Sequence, residues 1–340
     1  MSRRAESFEA RPDPRQFRRS LQRWFRLRGR DLPWRRARDP YAILVSEFML
    51  QQTQVATVLP FYQRWLERFP DFAALARAKE SEVLHAWQGL GYYARARNLH
   101  AAAKFVTEKC GGQIHAETAG IAQLPGVGRY TAGSVASFAF DRPEPIVEAN
   151  VARVLARLTN WEDPIDSAAG RAHLWRTAES LLPMTGGRDH NSALMDLGAM
   201  ICLLRRPLCG ACPVRRFCRA VEPALLPRKK QRPATVCLTE RHALTRRRNY
   251  VLLEQSDLRW RGMWILPRLA GAPRRRPLLE IDFPFTHHRV TLAVFSRPAP
   301  KIVHTNQQWF PFRALDRLPV PSPHRRALLQ LLPAPPRSRS

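Results

Sequence analysis

Two glutamates, four cysteines and a glycine-punctuated turn hold most of the chemistry open to this chain. Glu47 lies in "AILVSEFMLQQT", bordered by Leu44, Val45, Phe48 and Met49. Apolar neighbours withhold water from a carboxylate, which raises its pKa and favours the protonated form that a general acid needs. Glu148, in "PIVEANVARVLARL", is a second acid, at the start of a helical pattern. A glutamate there commonly answers the helix dipole. As a pair, two carboxylates in different surroundings are what cleavage of a glycosidic bond requires. One protonates the leaving group and the other steadies or traps the cationic sugar.

The stretch "CLLRRPLCGACPVRRFC" sets Cys202, Cys209, Cys212 and Cys218 as C-x6-C-x2-C-x5-C, four of the six cysteines in the chain. One C-x2-C between longer gaps is not the paired-knuckle spacing of zinc ribbons. Four thiolates in a compact loop also suit a 4Fe–4S cluster, so spacing leaves iron–sulfur and zinc both open. With four ligand positions filled the role is structural. Arg205, Arg206, Arg215, Arg216 and Arg219 would then be held ready for phosphates. "LPGVGRYTAGSVASF" puts Gly126 and Gly128 in a tight turn whose following helix offers free N–H groups to an anion. It reads as a helix–hairpin–helix that grips a DNA phosphate without reading sequence, or as a plain connection between two helices.

The whole chain favours such a partner. Its 340 residues carry 56 Lys and Arg against 28 Asp and Glu, a net charge of +28. The surplus is 17 from Pro223 onward and 11 before it. A field of that sign attracts polyanions, nucleic acid first among them. At 45% hydrophobic residues the chain has the composition of a globular protein, not a disordered one. No run of about 18 apolar residues predicts a membrane span. The N-terminus "MSRRAESFEARPDPRQFRR" lacks the apolar core of a secretory signal. The expected location is the cytoplasm, where thiols stay reduced and clustered cysteines bind metal more often than they pair.

The elements that must position these residues are helical over 15–222. "DPYAILVSEFMLQQTQVATVLPFYQRWLERF" opens on capping residues and keeps helical spacing. Further helices are expected at 71–87, 94–109, 117–122, 129–139, 147–160, 168–182 and 190–204. A Pro- and charge-rich linker covers 223–234, within "EPALLPRKKQRPATV". Beyond it "NYVLLEQ", "MWILPRL", "HRVTLAVFSR" and "QQWFPFR" read as strands, and "SPHRRALLQLL" as a last helix. An α+β domain is expected over 235–333, with a disordered tail at 334–340.

Taken together, "LPWRR", "SEFMLQQTQVATV", "GLGYYARARNLH", "LPGVGRYTAG", "NVARVL", "MDLGAMIC" and the cysteine loop resemble, in that order, the MutY-type adenine DNA glycosylases of the endonuclease III superfamily. The resemblance covers about 20–222. It extends more weakly to "GMWILP", "FTHHRVTL" and "LPVPSPHRRALL", which match that family's Nudix-like module. It implies an all-α helix–hairpin–helix glycosylase core with a 4Fe–4S cluster in the loop at 202–218, followed by an α+β Nudix-like domain. The implied activity is excision of adenine mispaired with 8-oxoguanine or guanine in double-stranded DNA, by a monomer associated with a bacterial nucleoid. Base extrusion precedes the chemistry.

By the same resemblance Glu47 protonates the flipped adenine at N7, Gln52 and Tyr92 wedge beside the opposing purine, and Trp34, Arg35 and Leu50 line the adenine pocket. Phe285, Thr286 and His287 match the loop that recognises 8-oxoguanine. Tyr130 stands where the bifunctional branch has a lysine, and without that amine no Schiff base forms and no strand is cut. Tyrosine at this position also occurs in thymine glycosylases acting on G·T mismatches. Two departures stand out. Glu148-Ala149-Asn150 replaces Asp-Gly-Asn, which lengthens the acid by a methylene and adds a Cβ; retained activity is expected, with Glu148 stabilising the oxocarbenium ion, and a lesion-binding protein without catalysis is the alternative. Ser192 replaces Gln or Glu in the adenine pocket.

Overall fold

The computed structural model describes residues 13–231, 233–271, 273–285 and 287–332. Among the described residues twelve α-helices precede the first strand: α1 (Pro14–Arg28), α2 (Pro33–Arg36), α3 (Pro40–Leu50), α4 (Val55–Arg68), α5 (Phe72–Arg77), α6 (Glu80–Ala86), α7 (Ala94–Lys109), α8 (Thr118–Ile121), α9 (Arg129–Phe140), α10 (Ala149–Leu158), α11 (Ala168–Leu181) and α12 (Gly187–Asp196). A π-helical turn, Leu197–Ile201, leads from α12 into the cysteine loop. The strands are β1 (Val236–Leu244), β2 (Arg246–Arg247), β3 (Tyr250–Gln255), β4 (Trp264–Ile265), β5 (Leu279–Phe285), β6 (His288–Ser296) and β7 (Gln307–Pro311), before α13 (Ser322–Leu331).

Local sequence explains where the helices of the site begin. Asp39 caps α3, its carboxylate accepting the N–H groups of Tyr41 at 3.0 Å and Ala42 at 3.3 Å. From Tyr41 to Met49 every residue of α3 is buried, because the helix is apolar on all sides. Glu47 therefore has no wet face to turn towards. The single helical stretch expected from 39 to 69 is broken at 51–54, where Gln52 takes φ 56° and α4 starts afresh. The helix expected over 71–87 is likewise two, interrupted before Glu80. α9 buries a run of small residues, and a Cβ on Gly133 would lie 3.0 Å from the carbonyl oxygen of Pro145. That closeness brings the segment leading to Glu148 against α9.

The strands form two sheets. One has the order β1-β6-β5, with β1 parallel and β5 antiparallel to β6. The other joins β2, β3 and β4, with β7 also pairing β3. β5 alternates buried Ile281 and Phe283 with exposed Glu280, Asp282 and Pro284, and its edge position tolerates the proline. A C-terminal region of strands follows a helical core, as the composition change predicted.

The division into compact units does not follow chain order. One unit is built from Met1–Glu47 and Gln113–Gln231, the other from Phe48–Gly112 and Arg232–Ser340. Within the stretch 15–222, the segment 48–112 groups with residues 232–340. The tail at 334–340 lies outside the described residues. Among the described residues no helix is long and apolar enough to cross a membrane.

Candidate active site

Three elements of the first unit meet at Glu47. α3 brings the acid, α9 brings Tyr130 and Ser134, and the start of α10 brings Glu148. Burial pushes the Glu47 pKa from 4.5 up to about 7. Tyr130 and Ser134 act against that rise, Glu148 adds to it by like charge, and Arg35 draws it down. The Ser134 hydroxyl is close enough to count, although it makes no hydrogen bond of ordinary geometry. Tyr130 is held neutral: burial, then the adjoining Glu47, drives its pKa well above 10. Here an acid near neutrality, a neutral phenol and a second carboxylate share one neighbourhood.

Glu148 caps α10. Its Oε1 accepts the N–H of Val151 at 2.8 Å, and its Oε2 accepts the N–H of Asn150 at 2.8 Å and the Asn150 side-chain amide at 3.3 Å. Burial raises its pKa and those donors lower it again, leaving it above the ordinary value. Ala149 is the first residue of the helix, a position any residue adopts, so glycine geometry is not needed there. The longer acid is accommodated as a cap, with its carboxylate fixed by two backbone donors.

Asn150 is fixed from behind. Its Oδ1 accepts a bond from Arg153 Nη2 at 2.8 Å; the same nitrogen donates to the Gly198 carbonyl at 2.7 Å, and Arg153 Nε donates to that of Cys202 at 2.7 Å. Arg157 donates to Cys202 Sγ at 3.2 Å and to the carbonyls of Leu203 and Leu204. Cys202, Cys209 and Cys218 lie near enough to Cys212 that, after burial, their charges raise its pKa further, to about 11. Among the described residues no three side chains are placed to hold a single metal ion.

Of the expected pocket residues, Trp34 is buried on α2. Arg35 is committed to Asp196, a fully buried carboxylate, through Nη1 at 3.2 Å and Nη2 at 2.9 Å. Arg30 holds the same acid through its backbone N–H and Nε, both at 2.8 Å. Ser192 is buried, and its carbonyl accepts from Arg35 at 3.4 Å. Gly126, with φ 74°, turns the chain into α9 in a conformation that favours glycine. Gly128 has φ −97° and needs no glycine for its backbone, but a Cβ there would meet nothing within 4 Å, so the approach to the N-terminus of α9 is open. No side chain caps that terminus.

Leu50, Gln52 and Tyr92 belong to the second unit. Gln52 and Tyr92 both have left-handed backbones, φ 56° and 48°, and Tyr92 is 46% exposed. That conformation costs a residue with a Cβ roughly 1–2 kcal/mol. Arg95 holds both loops. Its Nη1 donates to the carbonyls of Phe48 at 3.0 Å, Met49 at 2.9 Å and Gln51, and its Nη2 to those of Leu90 at 2.9 Å and Gly91 at 3.1 Å and to Thr53 Oγ1 at 3.1 Å. Charge-assisted bonds, at roughly 1.5–3 kcal/mol each, outweigh the strain. Phe285 and His287 flank the tip of the β5–β6 hairpin, where Phe285 pairs with His288; Thr286 lies outside the described residues.

The comparisons with known proteins fall on the same residues. The family model described as HhH-GPD superfamily base excision DNA repair protein matches residues 45–179, which hold Glu47, the hairpin turn and Glu148. A thermostable thymine-DNA glycosylase of known structure is 31% identical, with a TM-score of 0.57 over 62% of this chain and 96% of that one. The chain belongs to the HhH-GPD superfamily. Adenine DNA glycosylase of Rattus norvegicus is 46% identical over 214 residues, 60% of this chain and 41% of that protein. That of Mycolicibacterium smegmatis is 42% identical over 192 residues, 56% of this chain and 65% of the relative. The chain thus spans about two-fifths of the length of the mammalian relatives it matches.

In this HhH-GPD protein, sequence reasoning missed Asp196, Arg153 and Arg95. The signal for Asp196 is an acid inside the apolar run of "MDLGAMIC". Arg153 and Arg95 carry no such signal, because only the fold buries them.

Proposed function

We propose that this HhH-GPD protein is a monofunctional DNA glycosylase that removes adenine paired with 8-oxoguanine or guanine. The observation that carries the reading is Glu47: a buried acid with a pKa of about 7, beside a neutral Tyr130 and within the field of Glu148. Glu47 gives its proton to N7 of an extruded adenine, the bond from C1′ to N9 breaks with its electrons going to the base, and Glu148 stabilises the cationic sugar. Water adds to C1′ and gives its proton to the Glu47 carboxylate, which restores the acid. With tyrosine at 130 there is no amine to form a Schiff base, so the product is an intact strand with an abasic site. The adenine DNA glycosylases among the relatives support the choice of base.

The four cysteines fit a 4Fe–4S cluster. Cys202, Cys209 and Cys218 lie near enough to Cys212 for their charge to push its thiol up, and four thiols in one loop supply the ligands that such a cluster takes. Bound there, a cluster would hold the loop that Arg153 and Arg157 tie to α10. The C-terminal strands and α13 fit a Nudix-like lesion-recognition module, with Phe285 and His287 facing 8-oxoguanine. Gly126 and Gly128 would admit a phosphate to α9, and Gln52 and Tyr92 would enter the stack. Trp34 and Arg35 would line the adenine pocket. The reading places the protein in the bacterial cytoplasm, as a monomer on double-stranded DNA.

Single-turnover assays on duplexes with A opposite 8-oxoguanine, A opposite G and T opposite G test this. Adenine release from the first two is expected, abolished by Glu47→Gln with duplex binding kept. Thymine release alone would make it a thymine glycosylase, and release of neither base a lesion-binding protein. Brown colour with iron, and not stoichiometric zinc, is expected of the purified protein.

A further inference from the structure

Arg95 is buried in α7, yet its guanidinium serves two loops that are far apart in sequence. The acceptors it chooses are informative. The carbonyls of Gln51 and Gly91 belong to the peptide planes immediately before Gln52 and Tyr92. The φ angle of a residue is measured from its preceding plane, so holding those two planes restrains one side of the left-handed turn at both residues. Trp87 braces the same place, its Nε1 donating to the Gly91 carbonyl at 3.0 Å while Arg95 lies 5.4 Å above its ring and 5.5 Å from that of Tyr92.

We propose that Arg95 is a positioning residue, which presets Gln52 and Tyr92 together as one wedge for the base stack. The inference rests on the glycosylase reading for what the wedge enters; the coupling of the two loops through one guanidinium stands on its own geometry. A lysine at this position keeps the charge but lacks the planar fork, so it cannot hold both loops.

The test is a mutant cycle read in two ways: single-turnover release of adenine opposite 8-oxoguanine, and the fluorescence of 2-aminopurine placed beside the mispair, which rises on unstacking. Arg95→Lys should bind undamaged duplex within about twofold of the parent, while excision slows about 10- to 100-fold, the range that misplacement of an otherwise intact site produces, and most of the fluorescence rise is lost. Thr53→Val, which removes one acceptor and leaves the guanidinium intact, should show the same pattern more weakly and decides the matter should the lysine variant not fold. Adding Arg95→Lys to Gln52→Ala/Tyr92→Ala should slow excision by no more than about threefold further, because residues acting through one another do not add. Losses that multiply in full would overturn the proposal. So would an Arg95→Lys effect no larger than that of Leu99→Ala, a buried truncation on the same helix. A parent that releases no adenine sinks the proposed function, whereas the fluorescence comparison still decides the role of Arg95.

Discussion

At the residue scale, the same burial that prepares Glu47 for chemistry also loads the fold. Between pH 4.5 and about 7 the folded protein keeps a proton on Glu47 that the unfolded chain has already lost. Stability from this site therefore falls as pH rises, and above about 7 the whole penalty, about 3 kcal/mol, is in force. Glu47→Gln should melt above the parent at pH 8, with the difference vanishing towards pH 4; equal melting curves at pH 8 would contradict the burial argument. The rate of base release should fall as pH rises through about 7, where Glu47 gives up its proton. Its acid limb should lie above the ordinary carboxylate value, because Glu148 is raised as well. Tyr130 is neutral throughout and contributes no limb. Because Tyr130 lowers the Glu47 pKa, Tyr130→Phe should move the alkaline limb to higher pH, which a pH series of single-turnover rates would show. The carboxylate pair was legible in the letters, and so was the direction of the Glu47 shift. The neutralisation of Tyr130 and the capping bonds of Glu148 were not, since both depend on which elements touch.

At the element scale, the site depends on how closely the π-helical turn backs the start of α10. A Cβ on Gly198 would lie 2.7 Å from Asn150 Cβ and 2.9 Å from its carbonyl oxygen. Gly198→Ala should therefore displace the cap that carries Glu148. We expect a loss of about 1–3 kcal/mol in stability, typical of overpacking, together with a slower excision rate at unchanged duplex affinity. Calorimetry and single-turnover kinetics check the two parts. Several elements were readable from periodicity alone, among them α7, α9, β3, β6 and α13. The break at 51–54 was not, because "QQTQ" carries neither glycine nor proline and a left-handed glutamine leaves no mark in the sequence. β1 escaped too: its first four residues are exposed on both faces, so it shows no alternation and owes its strand to parallel pairing with β6.

At the scale of the whole molecule, buried histidines, His190, His242 and His324 among them, set the acid limit. His190 and His242 are lowered to about 4 by burial, and His324 falls well below its usual 6.5 for the same reason. Each is neutral in the fold and gains a proton more readily when unfolded. Their contribution is complete above about pH 6.5 and is lost as pH falls towards 4, about 3 kcal/mol for each of the first two. Melting temperature should drop steeply over that window, and His242→Gln should flatten the drop. The net charge of +28 makes a separate prediction. Added salt should weaken duplex binding, with log K falling by about 0.9 per phosphate neutralised for each decade of salt, while it stabilises the fold by screening self-repulsion. A binding constant insensitive to salt would mean that the excess charge does not meet the backbone.

What the letters determined by themselves was the kind of chemistry and its ingredients: an acid in an apolar helix, a second acid at a helix start, four thiols in one loop and a surplus of positive charge. Those properties are local, written in neighbours within a few residues. Tertiary structure alone decided which ingredients share a site, that segment 48–112 groups with residues 232–340, and that arginines at 95 and 153 turn inward to hold backbone carbonyls. The physical reason is that a guanidinium is placed by acceptors from distant parts of the chain, and no local pattern of sequence specifies where those acceptors will be.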